Sequence, residues 1–187
     1  MRYLPEHSVT FIHNPKTAGT SISQWLDDNF KTVAGRKHGN YEEVQNYFPD
    51  TVYTFGVVRN PWSRLVSWYK FRGQGAGTFE EWFWDRYSAA QHNALGFNSN
   101  LIWARNWYTL ITPQCNWFDD ETVVLKFEEL ETDFGIIQEK LQCKLDLPNT
   151  NNTPVDDYTQ YYNRDLAETV RDIYLDDVIK FGYEFGI

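Results

Sequence analysis

Short apolar runs at residues 9–13, 53–58 and 122–127 punctuate a chain whose remaining stretches mix apolar and polar positions over helical lengths. The pattern predicts a strand over 9–13, a helix over 20–30, a short loop or strand near Val33 and a helix over 41–48. A strand over 53–58, a helix over 61–71 and helices within 78–107 follow. A strand over 122–127, a helix over 129–141 and a terminal helix over 163–180 complete the order. Strands alternating with helices imply an α/β fold, a parallel sheet with helices on both faces. Ligands of such sheets gather at the carboxyl ends of the strands. The Asn-rich stretch 148–154 reads as a loop before the last helix.

The first strand runs through His13-Asn14-Pro15-Lys16-Thr17-Ala18-Gly19-Thr20-Ser21 into its helix. A loop ending on a helix N-terminus aims several backbone N–H groups at one point, where the helix dipole also favours negative charge. Lys16 adds a full positive charge, and Thr17, Thr20 and Ser21 add hydroxyl donors. The segment therefore reads as a phosphate cradle. An ordinary strand-to-helix turn with a capping Thr would share part of this pattern. The order G-x-x-x-x-G-K-[ST] of ATPases and kinases is absent, because Lys16 precedes the single Gly19 and no Gly opens the loop.

A second strand-to-helix junction is Arg59-Asn60-Pro61-Trp62-Ser63-Arg64-Leu65-Val66-Ser67. Pro61 suits a first helical turn, so Arg59 falls at the carboxyl end of its strand and Ser67 nearly two turns into the helix. A guanidinium fork and a hydroxyl are suited to sharing one phosphate. Arg64 reads either as a phosphate contact or as a surface or salt-bridging Arg.

The two junctions together resemble those of sulfotransferases that use 3′-phosphoadenosine 5′-phosphosulfate (PAPS). In that family the first loop holds the 5′-phosphosulfate, and an Arg followed eight residues later by a Ser holds the 3′-phosphate, a spacing that Arg59 and Ser67 share. The resemblance extends to 122–133, similar to the family's strand and "YEDL" segment, and to 157–183, similar to its terminal helix and "FGY" ending. It implies a P-loop-NTPase-like α/β domain over residues 1–187, binding PAPS and releasing adenosine 3′,5′-bisphosphate (PAP). The cofactor-binding residues it implies are Lys16, Thr17, Ala18, Gly19, Thr20, Ser21, Arg59 and Ser67. Phe127 stands where some relatives touch adenine with Tyr; lacking a hydroxyl, it would contribute packing there or serve as a core residue.

Sulfuryl transfer is an in-line displacement in which positioning and charge stabilisation supply most of the catalysis. Lys16 is placed to meet charge on the leaving oxygen, and the loop is tied to no obvious carboxylate pair, so no metal is expected. The acceptor hydroxyl needs a base, and His38, in the loop after the first helix, is the candidate. Several relatives place a catalytic His in this region and others use Glu. His13 more simply orients the loop; His7 and His92 carry no functional reading. A P-loop-type small-molecule kinase and a non-catalytic nucleotide-binding protein are the alternatives.

Composition narrows the acceptor. Lys and Arg number 17 against 26 Asp and Glu, a net charge of −9, which disfavours nucleic acid and sulfated polymers. A small molecule or a neutral glycan fits better. Seven of the Trp residues, Trp62, Trp68, Trp82, Trp84, Trp103, Trp107 and Trp117, cluster mid-chain, more simply as core than as an acceptor platform. No signal pattern or membrane-length apolar run is present, so a cytoplasmic protein without membrane partners is expected. Cys115 and Cys143 read as reduced structural residues.

Overall fold

The computed structural model describes residues 1–73, 75, 77–94, 111–148 and 157–187. Trp103, Trp107, the helical pattern beyond residue 94 and most of the Asn-rich stretch lie outside the described residues. The chain forms two compact units, Met1–Arg59 with Gln114–Thr153, and Asn60–Pro113 with Pro154–Ile187.

The first unit holds a five-stranded sheet of β1 (Arg2–Leu4), β2 (Val9–Ile12), β3 (Val33–Ala34), β4 (Tyr53–Val58) and β5 (Val123–Lys126), in the order β3-β1-β2-β4-β5. Three adjacent strands, β2, β4 and β5, are parallel, with Phe11 beside Phe55 and Val57 beside Leu125. β1 and β3 run antiparallel at one edge, so the sheet is mixed rather than wholly parallel. Strand β1 is absent from the sequence-based expectation. Three residues give too little pattern, and it forms by folding back on β2 through a turn in which Ser8 has φ 53°.

Helix α1 (Gly19–Asn29) buries Ile22, Trp25 and Leu26 against Val9, Phe11, Phe55, Val57 and Leu125 on one sheet face. Phe134 and Ile137 join the same core. Thr10–Thr51 and Thr54–Thr122 hydroxyl pairs at 2.8 and 2.9 Å mark the other face. There Gly56 admits the ring of Phe118, since a Cβ would lie 2.2 Å from a ring carbon. Helix α2 (Tyr41–Tyr47) starts on an Asn40–Glu43 capping box.

Helices α3 (Pro61–Arg72) and α4 (Phe79–Ala94) belong to the second unit. The expected helix over 129–141 is instead α5 (Leu130–Asp133) and α6 (Gly135–Lys140), preceded by a 3-10 turn. The expected terminal helix is α7 (Arg164–Ile173) and α8 (Leu175–Phe181), the latter two in the second unit. The two interruptions fall on Phe134 and Tyr174, which are 2% and 0% exposed. Among the described residues no helix is long and apolar enough to cross a membrane.

Candidate functional site

The loop between β2 and α1 is built from strained backbone. Lys16 and Ala18 have φ of 68° and 60°, with Thr17 between them outside that region. A left-handed non-glycine residue costs about 1–3 kcal/mol and persists only where its surroundings fix it. Alternation of this kind gathers successive N–H groups into an anion-binding concavity. Thr17 is fully buried and its hydroxyl donates to Asn14 O at 2.9 Å, closing the loop internally instead of pointing to a ligand. Lys16 and Ser21 are half-buried, and Thr20 is exposed.

Ala18 is the N-cap of α1, and no side chain caps the helix. The other described helices of ten residues or more all carry one. Asn60 caps α3, Thr78 receives the Glu81 N–H at the start of α4, and Asn163 caps α7. The α1 start thus presents the donor set that a bound anion would satisfy. A 5′-phosphate group fits this loop by that measure. Gly19 is required here on contact grounds: an added Cβ would lie 2.1 Å from Cδ2 and 2.2 Å from Nε2 of His13.

His13 is 6% exposed, stacked on Phe11 and met edge-on by His38 at a centroid distance of 4.8 Å. Burial, reinforced by His38, lowers its pKa to about 2, so its ring is neutral and acts as a wedge. His38 Nδ1 lies 3.1 Å from the His13 carbonyl oxygen. A carbonyl only accepts, so Nδ1 carries the proton in the neutral ring and the lone pair lies on Nε2. The structure therefore brings His38 to the cradle loop, with Nδ1 turned to the His13 carbonyl.

Arg59 follows directly on β4. Its guanidinium lies over Phe127 with Cζ 4.2 Å from the ring centroid, and Nη1 reaches Lys16 O at 3.5 Å. Phe127 thus serves as a platform for Arg59. Two residues that sequence reasoning missed hold the main chain around it. Gln114, fully buried, accepts from Arg59 N–H at 3.0 Å and donates to Arg59 O at 2.7 Å. The same Gln114 Oε1 accepts from Asn14 Nδ2 at 3.1 Å, and Asn14 also donates to Val57 O at 3.2 Å. Asn14 lies in the cradle segment but received no role of its own there, and Gln114, outside every motif, lies 55 and 100 positions from its partners.

Ser67 is half-buried on α3 in the second unit. Arg64 is not a surface residue. It is fully buried, with burial lowering its pKa while Tyr174, Asp177 and Tyr183 favour its charge. The "FGY" ending supplies Tyr183 to this cluster, which gives that motif a packing role. Among the described residues no group of three His, Cys, Asp or Glu side chains is placed to hold a metal.

A sequence model described as "Sulfotransferase family" matches residues 1–184. No curated protein matches the chain. Among solved structures, mouse sulfotransferase SULT7A1 complexed with PAP is similar at 12% identity, covering 94% of this chain and 76% of that one, with a TM-score of 0.46.

Proposed function

The chain belongs to the sulfotransferase family, enzymes that use PAPS as sulfate donor and release PAP, and from that premise we propose its acceptor class and the residues that act. The acceptor is a hydroxyl of a small molecule or neutral glycan, in keeping with the net charge of −9, and residues 1–187 work as one sulfotransferase domain. When bound, the donor supplies an activated sulfuryl group. Backbone N–H groups at Ala18, Gly19, Thr20 and Ser21 hold its 5′-phosphate, with Thr17 acting through the main chain and Thr20 and Ser21 adding hydroxyls. Lys16 neutralises charge on the leaving oxygen. Arg59 holds the 3′-phosphate.

His38 accepts the acceptor's hydroxyl proton at Nε2, the nitrogen that the His13 carbonyl contact leaves as the base. His13, being neutral, orients this contact without competing for the proton.

The observation that carries the assignment is the α1 start, without a side-chain cap and entered through two left-handed residues. Calorimetry with PAP and adenosine 5′-phosphate tests the companion assignment of Arg59 to the 3′-phosphate. PAP binds the more tightly, and Arg59→Ala removes most of the difference, because hydrogen bonds to charged groups are worth about 1.5–3 kcal/mol each, or roughly 10–150-fold. Equal affinities in the parent protein overturn the 3′-phosphate assignment.

A further inference from the structure

We propose that Gln114 and Asn14 are positioning residues that hold the two phosphate-binding segments at one spacing, and so set the preference for a nucleotide with two phosphates over one. The inference rests on the assignment of Arg59 to the 3′-phosphate. Its starting point is that the chain leaves the first unit after Arg59 and returns to it at Gln114. One side-chain amide joins these points twice, through the N–H and the carbonyl of Arg59, at 3.0 and 2.7 Å.

The geometry is that of a main-chain pairing made by a side chain. A hydroxyl or a shorter amide would reach one Arg59 group or the other, whereas the Gln114 amide presents acceptor and donor side by side. Its oxygen is simultaneously the acceptor for Asn14 Nδ2, and Asn14 opens the Pro15–Ser21 loop. Asn14 in turn donates to Val57 O, two residues before Arg59. The loop that receives the 5′-phosphate and the strand end that aims Arg59 are thereby linked through two fully buried side chains. In a low-dielectric interior such a network resists displacement, because breaking one bond leaves another polar group unsatisfied.

The guanidinium has its own supports in Phe127 and Lys16 O. These fix its direction from the Cα outward, while Gln114 fixes where that Cα stands. Loss of Gln114 therefore leaves Arg59 charged and present but free to drift, and the penalty falls on ligands that engage both segments at once.

The experiment compares PAP and adenosine 5′-phosphate affinities for the parent, Arg59→Ala, Gln114→Ala and Gln114→Glu, with amide exchange read at Arg59. Gln114→Ala should lower PAP affinity about tenfold while adenosine 5′-phosphate affinity changes less than about threefold, and the Arg59 N–H should exchange faster. Gln114→Glu keeps the acceptor for the Arg59 N–H and loses the donor to its carbonyl, so its PAP preference should fall between those of the parent and Gln114→Ala. It also serves as the test if Gln114→Ala does not fold. A folded Gln114 variant that keeps the full PAP preference, in a protein where Arg59→Ala abolishes it, overturns the inference and leaves the Arg59 assignment standing. A parent with no PAP preference removes that assignment instead. Equal losses for both nucleotides reduce Gln114 to a structural residue.

Discussion

The turn from β2 into α1 and the turn from β4 into α3 both leave a parallel strand and enter a helix within a few residues, yet they treat the helix start in opposite ways. At α1 the N-cap is Ala18, left-handed and without a capping side chain. At α3 the N-cap is Asn60, whose Oδ1 accepts the Ser63 N–H at 3.3 Å and whose Nδ2 donates to Glu184 O at 3.0 Å. One helix start has strained backbone and no capping side chain, and the proposed function gives it to the 5′-phosphate; the other is capped by the chain itself. In the proposed mechanism phosphate binding beside the second turn accordingly falls to the Arg59 side chain. Position at the end of a parallel strand is common to both turns, and what distinguishes them is whether a side chain already caps the helix N–H groups.

The largest effect that sharpens this contrast concerns His38, the proposed base beside the first turn. His38→Ala should lower turnover by about 10²–10⁴ while PAP affinity stays nearly constant, and the acidic limb of the pH–rate profile should flatten. Steady-state rates across pH with an acceptor found by screening sugars, phenols and alcohols check this. Parent-like turnover would make His38 a bystander and direct attention to Glu.

Next in size is Gly19→Ala. The added Cβ meets a buried ring that is itself held between Phe11 and His38, so the loop must move rather than the ring. Overpacking of this kind costs about 1–3 kcal/mol, and nucleotide affinity should fall by about tenfold to a hundredfold. Calorimetric affinity equal to the parent's would show that the loop can shift without losing its form.

His13 makes the first turn sensitive to acid. With a folded pKa near 2 against an ordinary 6.5, the unfolded chain takes up a proton below pH 6.5 that the folded one refuses. Stability from this source is complete above 6.5 and is lost as pH falls from there towards 2. At pH 5 the loss should reach about 2 kcal/mol, and His13→Gln should flatten the dependence. Urea midpoints at pH 7 and 5 for the two proteins decide it; a parent with no greater pH dependence than His13→Gln would mean that the buried ring is protonated.

What the sequence made legible was local. The 15–21 loop, the junction at Pro61 and strand β4 are each written in consecutive residues, and the structure has them where the pattern puts them. The antiparallel edge was not legible, since β1 depends on a turn through Ser8 rather than on its own three residues. Nor was Gln114, whose role exists only through partners 55 and 100 positions away. The burial of Arg64 was not legible for a related reason. Its charge left phosphate contact, surface and salt bridge all open, and Tyr174, Asp177 and Tyr183, far along the chain, favour its charge in a buried setting.

The smallest effect tests the second turn. Asn60 is fully buried, and its side chain both caps α3 and donates to Glu184 O and the Tyr158 hydroxyl. Asn60→Ala removes the cap, which typically costs about 1 kcal/mol, and the donor to an exposed tail that water can replace. A fall of a few degrees in Tm is expected, with PAP affinity within twofold of the parent's, because the α3 start offers nothing to the nucleotide that Arg59 does not already supply. Paired with Gly19→Ala, the substitution separates a turn built to bind from a turn built to hold. If Asn60→Ala instead weakened PAP as strongly as Arg59→Ala while leaving Tm unchanged, the second helix start would have to be counted among the ligand's contacts, and the contrast between the two turns would fail.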